Sequence, residues 1–246
     1  MTLIHRRLLD WYDANRREMP WRDHPDPYAV WVSEIMLQQT QVETVCSYFT
    51  RLMQAFPSVV ALAAAPQQQV LKLWEGLGYY TRARNLQRAA QQIVASGGEL
   101  PCDVAGWAAL PGVGPYTAAA IASICFGVPA PVVDGNVIRV FARYLGWNDD
   151  FRKPAARVRL AEWLQPWITA SGRPGDFNQA MMDLGATRCT PRSPRCDECP
   201  LRDDCVARRE RRQASLPTRP PRKTLPTRTA VAVLARDAAG RVLLTQ

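Results

Sequence analysis

The sequence predicts an all-α protein. Apolar residues recur at helical spacing through 3–16, 28–55, 58–96, 104–126 and 155–185. Pro57, Pro66 and the Gly76/Gly78 pair punctuate the middle of the chain, dividing it into short helical runs. The strand-type patterns are confined to 229–246.

A chain of 246 residues can bury a sizeable core and build two lobes. No apolar run approaches the ~18 residues a membrane helix needs. The N-terminus, MTLIHRRLLDWYD, is an amphipathic helix pattern rather than a secretory signal. The expected location is the bacterial cytoplasm, on the nucleoid. The net charge is +9, but 206–228 alone supplies +7, and 1–205 holds 21 basic against 20 acidic residues. Charge therefore gives only weak support for a nucleic-acid partner. Of seven cysteines, four crowd into 189–205, which in a chain without an export signal points to a metal site rather than disulfides. Cys46, Cys102 and Cys125 sit in apolar helical context and read as buried, inert thiols.

The first helix, 3–16, is followed by a proline-rich loop over 19–27. A long helix over 28–55, broken near Gln41, comes next. On it, Glu34 has Val30, Trp31 and Leu37 within one turn. Apolar neighbours raise a carboxyl pKa toward neutrality, so Glu34 reads either as a proton donor or as a solvated surface residue. Gln38, Gln39, Thr40 and Gln41 form a polar end to the first half of this helix. Three short helices span 58–96. Between the second and third lies GLGYYTRAR, a glycine turn with an aromatic pair suited to stacking on bases and with Arg82 and Arg84 in reach of phosphate.

Leu110-Pro111-Gly112-Val113-Gly114 forms a tight turn between two helical runs. Its glycines permit backbone angles closed to other residues, and its amides face outward at a helix start, where an anion is welcome. Tyr116 follows at once. Asp134 precedes a helix running to about Leu145 and is suited to an N-cap. Cys189, Cys196, Cys199 and Cys205 show gaps of six, two and five residues. With one close pair only, zinc is second choice to an iron–sulfur cluster. Residues 206–228 read as an extended linker, and 230–234 with 242–244 as two strands around a turn at 238–240.

These motifs together resemble the helix–hairpin–helix DNA glycosylase superfamily that includes endonuclease III. The run VWVSEIMLQQTQV matches its adenine-specific MutY members. The resemblance runs over 1–228. It implies a two-lobed helix–hairpin–helix fold with an iron–sulfur loop. Residues 1–22 would pack with the cluster lobe, 23–130 would form a helical-bundle lobe, and 131–213 the cluster lobe. After a linker over 214–228, 229–246 would open a Nudix-like 8-oxoguanine recognition domain, so the chain is expected to be a C-terminally shortened relative.

The resemblance further implies that Glu34 is the catalytic acid and that Asp134 faces the anomeric carbon. Tyr116 would pack on the flipped nucleotide, and Asn136 would order the carboxylates or a water. The hairpin residues Leu110, Gly112, Val113 and Gly114 would grip a phosphate. Gln38, Gln39, Thr40, Tyr79 and Arg82 would meet the duplex, with Gln39 and Tyr79 inserted. Arg192 and Arg195, beside Arg188, would touch phosphate, and the four cysteines would hold a four-iron–four-sulfur cluster. Endonuclease III carries a lysine where Tyr116 stands, and no lysine occurs between 73 and 152. The implied activity is therefore monofunctional: hydrolysis of adenine from duplex DNA opposite 8-oxoguanine or guanine, by a monomer in base excision repair. A thymine or uracil mismatch glycosylase and a damage-binding module of little activity are the alternatives. His5 and His24 fall outside every motif.

Overall fold

The structure, a computed structural model, describes residues 4–22, 26–218, 234–236, 238–240 and 242. Helix α1 (Ile4–Asn15) buries Ile4, Leu8, Leu9 and Tyr12 as one stripe. The chain then runs through buried Met19 and Trp21 to α2 (Pro27–Leu37). Proline at its first turn and Asp26 accepting from the Tyr28 amide fix where α2 begins. Every residue from Tyr28 to Met36 is buried, so α2 is the central post of its lobe. It stops at Leu37, and Gln39 turns left-handed (φ 58°) before α3 (Val42–Ala55). The break expected near Gln41 therefore begins at Gln38.

Helix α6 (Thr81–Ala95) packs on α2, and α4 (Val59–Ala64) and α5 (Gln67–Leu73) pack on α6 in turn. The hairpin joins α7 (Val104–Ala108) to α8 (Pro115–Phe126). Trp31, Trp74 and Trp107 are fully buried in this lobe, with Trp31 and Trp107 ring centroids 5.6 Å apart. Truncating such a side chain to alanine costs about 3–5 kcal/mol. The core here draws on Met19 through Ala122.

A second core joins α1 to α9 (Gly135–Leu145), α10 (Pro154–Ala170) and α11 (Pro174–Thr187). The chain thus leaves this lobe after α1 and returns to it at α9. Ala119, Ala120 and Val132, packed with Tyr116 and Met182, close the seam between the two cores. The small side chains of α8 let α2, α7 and α11 all approach it.

A 3-10 turn (Cys196–Glu198) and α12 (Val206–Arg209) complete the cysteine segment. The expected linker begins later than composition suggests. Leu216 is buried, Arg143 donates to its carbonyl at 2.9 Å, and Arg212 reaches Asn148 at 2.6 Å, so 206–217 packs on the cluster lobe. Cys102 is exposed rather than buried, because it lies in the loop just before the α7 cap at Asp103. Of the two expected strands, only Leu234 and Val242 lie among the described residues, and one antiparallel bridge, Arg236 to Val242, spans the turn at 238–240. His24 and 219–233 lie outside the described residues. No described helix is long and apolar enough to cross a membrane.

Candidate active site

Glu34 sits on the fully packed helix α2 and is 5 % exposed. Burial pushes its carboxyl up to about 7; Tyr116 opposes the shift, Asp134 adds to it, and Arg22 opposes it. Its Oε2 has no hydrogen-bond partner among the described residues. Tyr116, on the first turn of α8, lies beside this carboxyl. Its hydroxyl donates to Met182 Sδ at 3.3 Å, and rotation would redirect it to Glu34. Burial raises the Tyr116 phenol well above its ordinary range, so it stays protonated.

Asp134 is the N-cap of α9, and both its oxygens accept from N–H donors. Val137 N donates to Oδ1 at 2.7 Å and Asn136 Nδ2 to Oδ2 at 2.8 Å, an environment that suits a carboxylate. Asn136 is held in turn by Arg139 Nη2 at 2.8 Å. Arg139 also donates to Cys189 O at 2.7 Å and Gly185 O at 2.9 Å. A Cβ at Gly185 would lie 2.5 Å from Asn136 Cβ, so only glycine allows α11 this close. A continuous polar chain thus runs from Asp134 to the first cysteine.

The third acidic group is Asp183, fully buried on α11. It accepts from Arg17 Nη2 at 2.6 Å and Nε at 2.8 Å, and from Arg22 Nη1 at 2.7 Å. This joins the loop between α1 and α2 to α11 and sets the Arg22 charge near Glu34. Asn178, also fully buried, donates to Ser123 Oγ at 2.8 Å and Ala130 O at 2.9 Å, and accepts from Val132 N, shaping the approach to Asp134. Neither residue was singled out from the sequence. Asn178 and Asp183 bracket the apolar Ala180, Met181 and Met182, which was the available signal.

The expected duplex-facing residues divide. Gln39 and Tyr79 are exposed, Tyr79 by 62 %, and both have left-handed backbones. Gln38 instead turns inward to Thr117 Oγ1 at 3.3 Å. Arg82 corrects the expectation of a phosphate contact: it is buried, and its guanidinium is spent on backbone carbonyls of two turns. Leu110 and Val113 are buried in the core, so their side chains pack while the hairpin backbone faces outward at exposed Gly112 and Gly114. Gly112 is left-handed (φ 78°), and a Cβ there would meet Asn85 Cβ at 2.7 Å. Helix α8 starts at Gly114 with no side-chain cap, leaving its amide end to an outside acceptor. Arg192 and Arg195 are exposed beside the cysteine loop, and Arg195 is partly committed to Thr187 O at 2.6 Å.

Cys189, Cys196, Cys199 and Cys205 line one cavity together with Arg143. Among the described residues, no three His, Cys, Asp or Glu side chains converge as they would on a single ion. The four thiols around this space are placed to hold the corners of one iron–sulfur cluster. Burial pushes the Cys199 thiol up to about 12 and raises Cys189 and Cys205. Arg143 and Arg139 oppose the rise at Cys189, and Arg143 Nη1 donates to its Sγ at 3.5 Å.

Residues 32–166 match the family described as HhH-GPD superfamily base excision DNA repair protein. Residues 189–205 match the iron–sulfur binding domain of endonuclease III. The cysteine loop is thus the site of a four-iron–four-sulfur cluster. The chain is 46% identical to an adenine DNA glycosylase of Rattus norvegicus, over 89% of this chain and 44% of that protein. It is 46% identical to that of Homo sapiens over 88% and 41%, and 38% identical to that of Buchnera aphidicola subsp. Acyrthosiphon pisum over 89% and 63%. The chain therefore spans about half the length of the curated relatives it matches. Among solved structures it is similar to a thermostable thymine-DNA glycosylase, with a TM-score of 0.76 at 29% identity over 84% of this chain and 95% of that one. A non-covalent endonuclease III–DNA complex shares the fold, with a TM-score of 0.71 at 24% identity over 84% and 94%. With the family match covering more than half of its length and the cysteine loop matching separately, the chain belongs to the HhH-GPD superfamily of base excision DNA repair proteins.

Proposed function

We propose that this chain is a monofunctional adenine DNA glycosylase that hydrolyses the N-glycosidic bond of adenine opposite 8-oxoguanine or guanine. The observation that carries the reading is the division of labour between two carboxyls. Glu34 is buried with its pKa raised to about 7, so it holds a proton near neutrality, whereas Asp134 accepts N–H donors on both oxygens. A buried acid that keeps its proton and a second carboxyl met by N–H donors suit the roles of proton donor and charge stabiliser.

An adenine flipped out of the stack would be protonated on a ring nitrogen by Glu34, which weakens the glycosidic bond. The sugar then carries developing positive charge, which Asp134 stabilises. Water completes the hydrolysis and leaves an abasic site. Tyr116 would pack on the sugar between the two carboxyls. It replaces the amine that a lyase would need, so no Schiff base forms and the strand stays intact. The cysteine thiolates would hold the cluster, which ties 189–205 into one unit and supplies no step of the reaction. The hairpin backbone at Gly112 and Gly114 with the α8 start would take a phosphate, and Arg192 and Arg195 a second. The lobes over 23–130 and over 1–22 with 131–213 would act as one monomer astride the duplex, and 229–246 would begin a recognition domain.

The test is single-turnover cleavage of a duplex with one adenine opposite 8-oxoguanine, with and without alkali. Product only after alkali is expected. Cleavage without alkali would overturn the monofunctional reading, and no product at all would favour the binding-module reading. Similarity to a thymine-DNA glycosylase structure favours one alternative, which duplexes carrying thymine or uracil opposite guanine would decide in the same assay.

A further inference from the structure

Two non-glycine residues facing the same side of the molecule have left-handed backbones: Gln39 (φ 58°), in the turn after α2, and Tyr79 (φ 48°), in the turn before α6. An L side chain resists that region, so something must hold each turn. Both residues line one cavity of about 200 Å³, together with Asn85 of α6 and with Gly112 of the hairpin.

A single side chain braces both turns. Arg82 Nη1 donates to Ile35 O (3.1 Å), Met36 O (2.8 Å) and Gln38 O, the last carbonyls of α2. Its Nη2 donates to Thr40 Oγ1 (3.2 Å), Leu77 O (3.2 Å) and Gly78 O (3.3 Å). The guanidinium lies 5.5 Å from the ring centroids of both Trp74 and Tyr79, and Trp74 Nε1 fastens Gly78 O at 3.1 Å. The carbonyls that α2 leaves unmatched at its end, and those of the glycine turn, therefore terminate on one planar fork. A lysine ammonium, a point donor, cannot reach both sets in this geometry.

We propose that Arg82 is a positioning residue that locks Gln39 and Tyr79 into one rigid, two-pronged unit for insertion into duplex DNA. The proposal rests on the reading of this chain as a duplex-acting glycosylase. Held this way, both prongs have their inserted backbone conformation before DNA arrives, so binding need not order them. Loss of the fork frees the two turns together. It weakens the specific complex while leaving phosphate contacts at the hairpin intact.

The experiment compares wild type, Arg82→Lys, Tyr79→Ala and the double variant, all on the full chain. Cluster absorbance and thermal unfolding serve as checks of the fold. Amide hydrogen exchange without DNA reads the turns directly at Thr40 and Leu77, whose amides bond Leu37 O and Trp74 O. Arg82→Lys should accelerate both together. Affinity for a duplex with adenine opposite 8-oxoguanine should fall about 10-fold in each single variant and by well under the product of the two in the double variant. Affinity for fully paired duplex should change little.

Unchanged exchange at either turn, or additive losses of affinity, would overturn the proposal. Should Arg82→Lys fail to fold, Thr40→Val removes one partner of the fork and must still couple to Tyr79→Ala; additivity there overturns the proposal equally. A wild type that does not distinguish the mispair overturns the glycosylase reading instead, and the exchange arm still judges Arg82.

Discussion

Glu34 occupies a position where the folded protein gives up stability for a proton. Its carboxyl is pushed from 4.5 to about 7, so the native state binds that proton more tightly than the unfolded chain. Between those values stability falls as pH rises, and above 7 the whole cost is present, about 3 kcal/mol at most. Glu34→Gln should therefore melt higher than wild type at pH 8, with the gain vanishing near pH 4. Thermal melts across that range check this; a gain independent of pH would contradict the buried-acid assignment. The same substitution should lower adenine release by about 10²–10⁴-fold with duplex binding retained, and the wild-type rate should fall as pH rises through about 7. Helical spacing beside Val30, Trp31 and Leu37 left this residue open between proton donor and solvated surface group; the fold adds its burial on α2. The fate of Arg82 was not legible. An arginine after a glycine turn reads as a phosphate contact until the carbonyls that end α2 are seen to need donors.

At the scale of elements, the decisive contact is the crossing of α9 and α11 at Gly185. There the asparagine that holds Asp134 lies against a residue without a side chain. Gly185→Ala must displace Asn136. The expected outcome is a drop in excision of about 10-fold or more with a much smaller change in duplex affinity, since the hairpin lies on other helices. Single-turnover rates and titrations on one preparation separate the two. Helix existence was readable from periodicity throughout. Prolines stand at the first turns of α2, α8, α10 and α11, yet the run read over 155–185 is two helices, parted between Ala170 and Pro174. The stop at Gln38 was harder to read, because neither glycine nor proline stands there; tertiary bonding to Arg82 ends the helix. Composition misread 206–217 for the converse reason, although the resemblance had put 206–213 with the cluster lobe. A Pro- and Arg-rich composition signals a linker, yet one buried Leu216 and the arginines bonded around it are enough to dock the segment.

The whole molecule is two cores sewn together by buried polar groups. Asp183 carries the tightest stitch, since it faces two arginines from the α1–α2 connection. Asp183→Asn leaves those cations short of their counter-charge and should destabilise the protein by about 3–5 kcal/mol in urea unfolding. The cysteine loop makes a compositional prediction: the purified chain should be brown, with about four iron and four sulfide per chain. Stoichiometric zinc would contradict the cluster assignment. That the lobes interleave was invisible to periodicity, because nothing in MTLIHRRLLDWYD says which distant helices will cover it. The consequence appears during synthesis. Ile4, Leu8, Leu9 and Tyr12 leave the ribosome well before their partners on α10 and α11, which lie about 150 residues downstream. At ~5–20 residues per second, the apolar face of α1 waits on the order of 10–30 s for its cover. The intervening lobe meanwhile has all its own helices and can close. Translation thus delivers a finished half-molecule alongside an uncovered helix, which docks only once α10 and α11 have emerged.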